Sequence, residues 1–128
     1  METISVHASR DYEVRIGSGL LTRTGELSAP LIKGRHAIIV SDSNVWPLYG
    51  AMVQASLEDA GFQVDHFVFP AGEQSKNTDT LVQLLTCLAQ MGMTRSDAVF
   101  ALGGGVTGDI FGCLVELTEC VVLIVCCV

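Results

Sequence analysis

At 128 residues, 49% apolar and 16% charged, the chain has the composition of a folded protein and the length of one domain able to bury its own core. It carries 14 acids against 7 bases and a net charge of −7, with no Lys/Arg cluster. Nothing would neutralise a phosphate backbone, which argues against a nucleic-acid partner.

The opening METISVHASRDYEV lacks the basic head, apolar stretch and small-residue cleavage site of a secretory leader. The most apolar stretch, Val121–Val128, is far shorter than the roughly 20 residues a bilayer span needs. The expectation is a cytoplasmic protein with no membrane partner. Five cysteines, Cys87, Cys113, Cys120, Cys126 and Cys127, show no CxxC spacing and read as small hydrophobes of a reducing compartment. His7, His36 and His66 are scattered, each inside a predicted strand, and give no metal-ligand spacing.

Thr3–Ala8 and Tyr12–Gly17 predict two short strands joined by the turn SRD, a hairpin. Gly17-Ser18-Gly19 breaks that pattern, and LLTRTGEL predicts a helix. His36–Ser41 is a continuous apolar run, the mark of a strand covered on both faces. DSN ends it. Pro47 suits the first turn of a helix running to about Ala60, and Gly61 suits its end. FQVDHFVF predicts a strand and PAGEQSK a loop. Leu81, Leu84, Leu85 and Leu88 predict an amphipathic helix from about Asn77 to Met91, with Gly92 beyond it. AVFAL predicts a second buried strand, a helix is expected from about Thr107, and VVLIVCCV reads as one more strand.

The alternation of strands and helices predicts an α/β fold. It is a Rossmann-like, mostly parallel sheet with helices on both faces and the N-terminal β-hairpin at one edge, all within one domain spanning residues 1–128. An apolar strand closing the chain would leave its outer edge open, so the sequence reads as part of something longer.

The segment ALGGGVTGDIFG (Ala101–Gly112) follows a buried strand with glycines and a predicted helix start. Such a junction lets backbone approach an anion and presents free N–H groups to it. Gly103, Gly105 and Gly108 satisfy G-x-G-x-x-G, though close helix–sheet packing would also use them. In open α/β sheets ligands bind beyond the carboxyl ends of the strands. Three strand ends carry polar groups: Asp42-Ser43-Asn44, Glu73 to Lys76, and Gly103 to Asp109. Asp42 suits a ribose diol, the glycines a pyrophosphate, and Lys76 its charge. Equally, Asp42 or Asn44 suits a helix cap, Glu73 and Lys76 a solvated pair, and Asp109 a first-turn acid.

YEVRIG, VSDSNVWPLYG, AGF, FPAGEQSKN and TRSDAVFALGGGVTGD, in this order, resemble the 3-dehydroquinate synthase family from about Tyr12 to Gly112, its N-terminal domain only. The pair GEQSK and GGGVTGD carries the resemblance. It implies an NAD- and metal-dependent lyase of the shikimate pathway to chorismate and the aromatic amino acids. That enzyme converts a phosphorylated sugar acid, 3-deoxy-D-arabino-heptulosonate 7-phosphate, to 3-dehydroquinate and phosphate. It implies NAD contacts at Asp42 and Asn44, then at Ala71, Gly72, Glu73, Gln74, Ser75 and Lys76, then at Gly104, Gly105, Val106, Thr107, Gly108 and Asp109. It also admits a homodimer.

After Gly112 the sequence departs from the family pattern. Cys120 stands where the family has a substrate-binding arginine, and the lysines, glutamate and two histidines that hold substrate and zinc or cobalt have no counterparts here. No catalytic or metal-ligating residue is therefore assigned, and the chain alone is not expected to turn over. Two alternatives remain: another sugar-phosphate cyclase or polyol dehydrogenase of the same superfamily, and a non-catalytic nucleotide-binding domain.

Overall fold

The computed structural model describes residues 2–7, 11–16, 19–72, 77–94, 96–103 and 120–125. Strands β1 (Glu2–His7) and β2 (Asp11–Ile16) form an antiparallel hairpin, in register from Glu2 opposite Ile16 to His7 opposite Asp11. The hairpin expected at the edge of the main sheet is instead a two-stranded sheet of its own. ETISVH and DYEVRI alternate polar and apolar residues, a pattern suited to a ribbon with one wet face. Such alternation is poorly suited to an interior strand of a sheet covered on both sides.

The single helix predicted for LLTRTGEL is broken. A 3₁₀ turn at Leu21–Arg23 leads into α1 (Thr24–Ser28), and a second 3₁₀ turn at Ala29–Leu31 follows. Thr24 Oγ1 donates back to the Leu21 carbonyl at 2.9 Å, competing with the helical ladder. Gly25 is a weak helix former, and Pro30 has no N–H to donate. Gly25 has a separate use, because a Cβ there would stand 2.1 Å from the Ser56 carbonyl oxygen. Its own N–H donates to Ser56 Oγ at 2.9 Å.

Four parallel strands make the main sheet among the described residues: β3 (His36–Asp42), β4 (Gln63–Phe69), β5 (Ala98–Gly103) and β6 (Cys120–Val125), in the order β4-β3-β5-β6. Ile38 lies opposite both Asp65 and Val99, and Ala98 opposite Cys120. The apolar C-terminal run thus supplies a strand with β5 as its partner. Ala37–Ser41 and Ala98–Leu102 are at most 1% exposed, which is why both read as unbroken apolar runs.

Successive side chains leave a strand on opposite faces, so two cores form. On one face Ala37, Ile39, Phe100 and Leu102 pack with Val53 and Leu57 of α2 (Ala51–Asp59). On the other Ile38, Val40, Val99 and Phe69 pack with Leu84 and Leu88 of α3 (Thr78–Gln90). Helices therefore cover both faces, as the sequence pattern predicts. Truncating Leu57 or Leu84 to Ala would cost about 2–5 kcal/mol, since each is fully buried.

The helix predicted from Pro47 begins differently. Trp46–Gly50 is a single π-helical turn, and regular α-helix starts only at Ala51. Pro47 offers no N–H, and Leu48 and Tyr49 both donate to the Val45 carbonyl at 3.0 Å. Gly61 ends this helix at φ +96°, a conformation that penalises any side chain. Asn77 caps α3, its side chain accepting from the Thr80 N–H at 2.9 Å. Of the leucines expected to face the core, Leu84 and Leu88 do so, with Thr80 beside them. Leu81 is half-buried, and Leu85 is turned out.

Candidate functional site

Because β4, β3 and β5 are parallel and adjacent, their carboxyl ends form one rim. The chain runs from β3 to β4 on one side, then back past β3 to β5 on the other. That reversal puts the switch point of the sheet between β3 and β5, where an open α/β sheet leaves a crevice for ligands.

Three hydrogen bonds fix the rim. Ser41, fully buried, donates its hydroxyl to the Leu102 carbonyl at 2.8 Å and ties β3 to the last turn-out of β5. The Ser43 N–H donates to the Phe69 carbonyl at 2.9 Å. Ser43 Oγ in turn accepts from the Ala71 N–H at 2.9 Å, tying the turn after β3 to the turn after β4. Asp42 and Asn44, Ala71 and Gly72, and Gly103 at the head of the glycine segment are thus brought to one edge. Gly72 has φ +113°, a backbone turn that a side chain would strain. The other sequence candidates, Glu73, Gln74, Ser75, Lys76, Gly104, Gly105, Val106, Thr107, Gly108 and Asp109, lie outside the described residues.

Asp42 is half-buried at the tip of β3. Its Oδ1 accepts from the N–H groups of Asn44 at 2.9 Å and Val45 at 2.8 Å. Asp42 thus closes the turn after β3 with one oxygen; the helical turn that follows starts after Val45 and has no side-chain cap. Oδ2 accepts no hydrogen bond among the described residues, and Asp42 stands at the carboxyl end of β3. Asn44 is exposed beside it.

The amino ends of the strands are organised for another purpose. Asp97 is 7% exposed and accepts from the His36 N–H at 3.3 Å through Oδ1. Its Oδ2 accepts from the Thr94 N–H at 2.9 Å and from Thr94 Oγ1 at 3.1 Å. Nearby, His36 Nε2 pairs with Asp65 Oδ2 at 2.6 Å across β3 and β4. The three histidines stand on β1, β3 and β4, and among the described residues no three His, Cys, Asp or Glu side chains converge on a point that would hold a metal ion. Cys87 on α3 is a free, half-buried thiol. Among the described residues no helix is long and apolar enough to cross a membrane.

Sequence reading missed Ser41 and Trp46, and it placed Ser43 at the polar end of β3 without its tie to Ala71. A hydroxyl ending an otherwise apolar buried strand was the available signal for Ser41, since a buried hydroxyl needs a partner. Trp46 stacks on His66 of β4, ring centroids 4.4 Å apart and planes 24° from parallel. They are distant in sequence and meet only because β4 pairs with β3.

Comparison with known proteins begins from this fold. The chain superposes on 2-deoxy-scyllo-inosose synthase complexed with carbaglucose-6-phosphate, NAD+ and Co2+, with a TM-score of 0.79 and 23% identity over 93% of this chain and 33% of that one. It also superposes on 2-epi-5-epi-valiolone synthase from Streptomyces hygroscopicus subsp. jinggangensis 5008 with NAD+ and Zn2+ bound, with a TM-score of 0.67 and 28% identity over 85% of this chain and 30% of that one. The fold is that of a sugar-phosphate cyclase domain. Residues 66–120 match the family model for the 3-dehydroquinate synthase N-terminal region. The 3-dehydroquinate synthase of Streptococcus suis strain 05ZYH33 is 48% identical over 101 residues, 79% of this chain and 28% of that protein. The chain belongs to the 3-dehydroquinate synthase family, and it spans under a third of the length of that relative. The family match reaches Cys120, past the Gly112 where the sequence resemblance stops being legible by eye.

Proposed function

We propose that residues 1–128 are the dinucleotide-binding part of a 3-dehydroquinate synthase, with NAD lying across the carboxyl ends of β3, β4 and β5. The observation that carries this reading is the rim itself: three strand ends, each with a polar segment, joined by Ser41 and Ser43 at the switch point of the sheet. Asp42 offers Oδ2 to a ribose diol while Oδ1 is held by Asn44 and Val45. A charged acceptor fixed in this way spends little entropy on meeting a hydroxyl. Asn44, Ala71 and Gly72 border the same ribose and its phosphates. Glu73–Lys76 and Gly104–Asp109 are assigned to the pyrophosphate on their sequence alone.

NAD, when bound, supplies a reversible hydride acceptor for a hydroxyl-bearing ring carbon of 3-deoxy-D-arabino-heptulosonate 7-phosphate, so that phosphate is lost as the lyase reaction of the shikimate pathway proceeds. These residues orient the cofactor. The zinc or cobalt that the family resemblance implies finds no fitting donor set among the described residues, and no step is derived through it. The identity of 48% to a 3-dehydroquinate synthase, against 23% and 28% to the cyclases of other substrates, favours this substrate over theirs.

Isothermal titration of the chain with NAD is the test. Saturable binding that Gly105→Val abolishes in a folded protein supports the reading, since a branched side chain would fill the space a pyrophosphate needs. Absence of binding by the wild-type chain overturns it. Phosphate release from the sugar acid is expected to stay at the level of a heat-killed control, because the chain corresponds to 28% of its Streptococcus suis relative.

A further inference from the structure

The turn that follows β3 is held to β4 at points on both sides of Asn44. Before it, Ser43 donates to the Phe69 carbonyl and accepts from the Ala71 N–H. After it, the Trp46 ring stacks on the His66 imidazole. His66 lies opposite Ile39, three residues short of Asp42 on β3, so the stack stands beside the rim. Between these anchors the backbone N–H groups of Asn44 and Val45 reach back to Asp42 Oδ1.

The helix start beyond the turn is shaped around the same ring. Trp46–Gly50 is a π turn, and Gly50 packs so closely under the indole that a Cβ there would fall 2.4 Å from Cε3 and 2.5 Å from Cδ2. An inserted residue of this kind costs helical regularity, and such turns recur at functional sites. Here it sets the ring against β4 instead of letting it follow the regular helical path. Trp46 is also the sole tryptophan of the chain.

We propose that Trp46 is a positioning residue for the dinucleotide, acting through the Asp42–Val45 turn, and this rests on the reading that Asp42 receives the adenosine ribose. The stack holds Val45 where its N–H meets Oδ1, and that bond aims Oδ2 at the crevice. Without the ring the helix start is released from β4, Val45 drifts from Asp42, and the carboxylate turns. Small misplacements of a binding group are costly because a hydrogen bond is steep in distance and angle. His66 is the other half of the clamp and touches no ligand.

The test titrates the 128-residue chain and three variants with NAD and, separately, with ADP, well below the melting temperature. Loss of an aromatic pair predicts that Trp46→Ala and His66→Ala weaken both ligands roughly three- to tenfold. Trp46→Phe, which keeps a ring over His66, is expected to restore affinity to within about twofold. His66 is exposed, so His66→Ala should lower the ligand-free melting temperature only slightly, and a loss of affinity at a temperature where both proteins are fully folded is a readout that a merely structural role would not move. If Trp46→Ala does not fold, His66→Ala decides. Wild-type affinity in His66→Ala overturns the inference and leaves the NAD site standing. A loss for NAD with none for ADP also overturns it, since the clamp acts on the adenosine end that both share. No NAD binding by the wild-type chain overturns the site and the inference together.

Discussion

Two aspartates stand at opposite ends of the same sheet and do different work. Asp97, at the amino end, is 7% exposed, and both of its oxygens are spent on Thr94 and His36. Asp42, at the carboxyl end, is half-buried and spends one oxygen on its own turn, leaving the other with no bond among the described residues. The difference separates a residue that closes a structure from one that holds a valence in reserve. Closing a turn and binding a ligand need not be rival roles for one carboxylate, since the turn uses Oδ1 alone.

Breaking the amino end should have the largest effect. Asp97→Ala removes a buried acceptor shared by the His36 N–H and by the N–H and hydroxyl of the exposed Thr94, and is expected to cost about 1–3 kcal/mol of stability in urea denaturation. NAD affinity of the folded fraction should not change; a fall would mean the two ends are coupled. At the carboxyl end, Asp42→Ala should weaken NAD by about 1–3 kcal/mol in calorimetric titration, with about 1 kcal/mol of stability lost with the two turn hydrogen bonds. Asp42→Asn sharpens the contrast, because the amide oxygen can still accept from Asn44 and Val45 while the charge is gone. It should keep most of the stability and lose most of the affinity, and equal losses in both would contradict the division of labour between Oδ1 and Oδ2.

Smaller effects test the joints. Ser41→Ala removes the buried bond to Leu102 and is expected to cost about 1 kcal/mol by thermal melting, with a larger proportional loss of NAD affinity than other buried changes of that size. The control is Val82→Lys on α3. That side chain is 53% exposed, so the change should stay within about 0.5 kcal/mol and leave titration with NAD untouched.

Strands and helices that carry their signal locally were legible in the sequence. HAIIVS and AVFAL are apolar because both faces are covered, and Gly61 and Asn77 end and begin helices for reasons confined to a few residues. The hairpin's separation from the main sheet was less visible, since pairing partners are chosen by tertiary geometry. The interruption around Thr24 and Gly25 arises from a side chain competing with the backbone and from contact with Ser56 on another helix. At the rim, the polar residues were readable one segment at a time. The serines and Trp46 were not, because their meaning lies in which strand stands next to which.

The strand order has a consequence for the chain as it is made. β3 is the first strand of the main sheet to leave the ribosome, yet it ends up between two others. Its second neighbour, β5, arrives late: Ser41 and its partner Leu102 are separated by 61 positions. The growing chain carries Ile38, Ile39 and Val40 with both sides of their backbone unpaired until β4 is made and one side unpaired until β5 follows, an adhesive edge in a crowded compartment. Synthesis that stalls before residue 98 prolongs the exposure, and synthesis that continues ends it. The same arrangement that opens a crevice in the finished sheet therefore leaves β3 with an open edge until the chain has grown past β5.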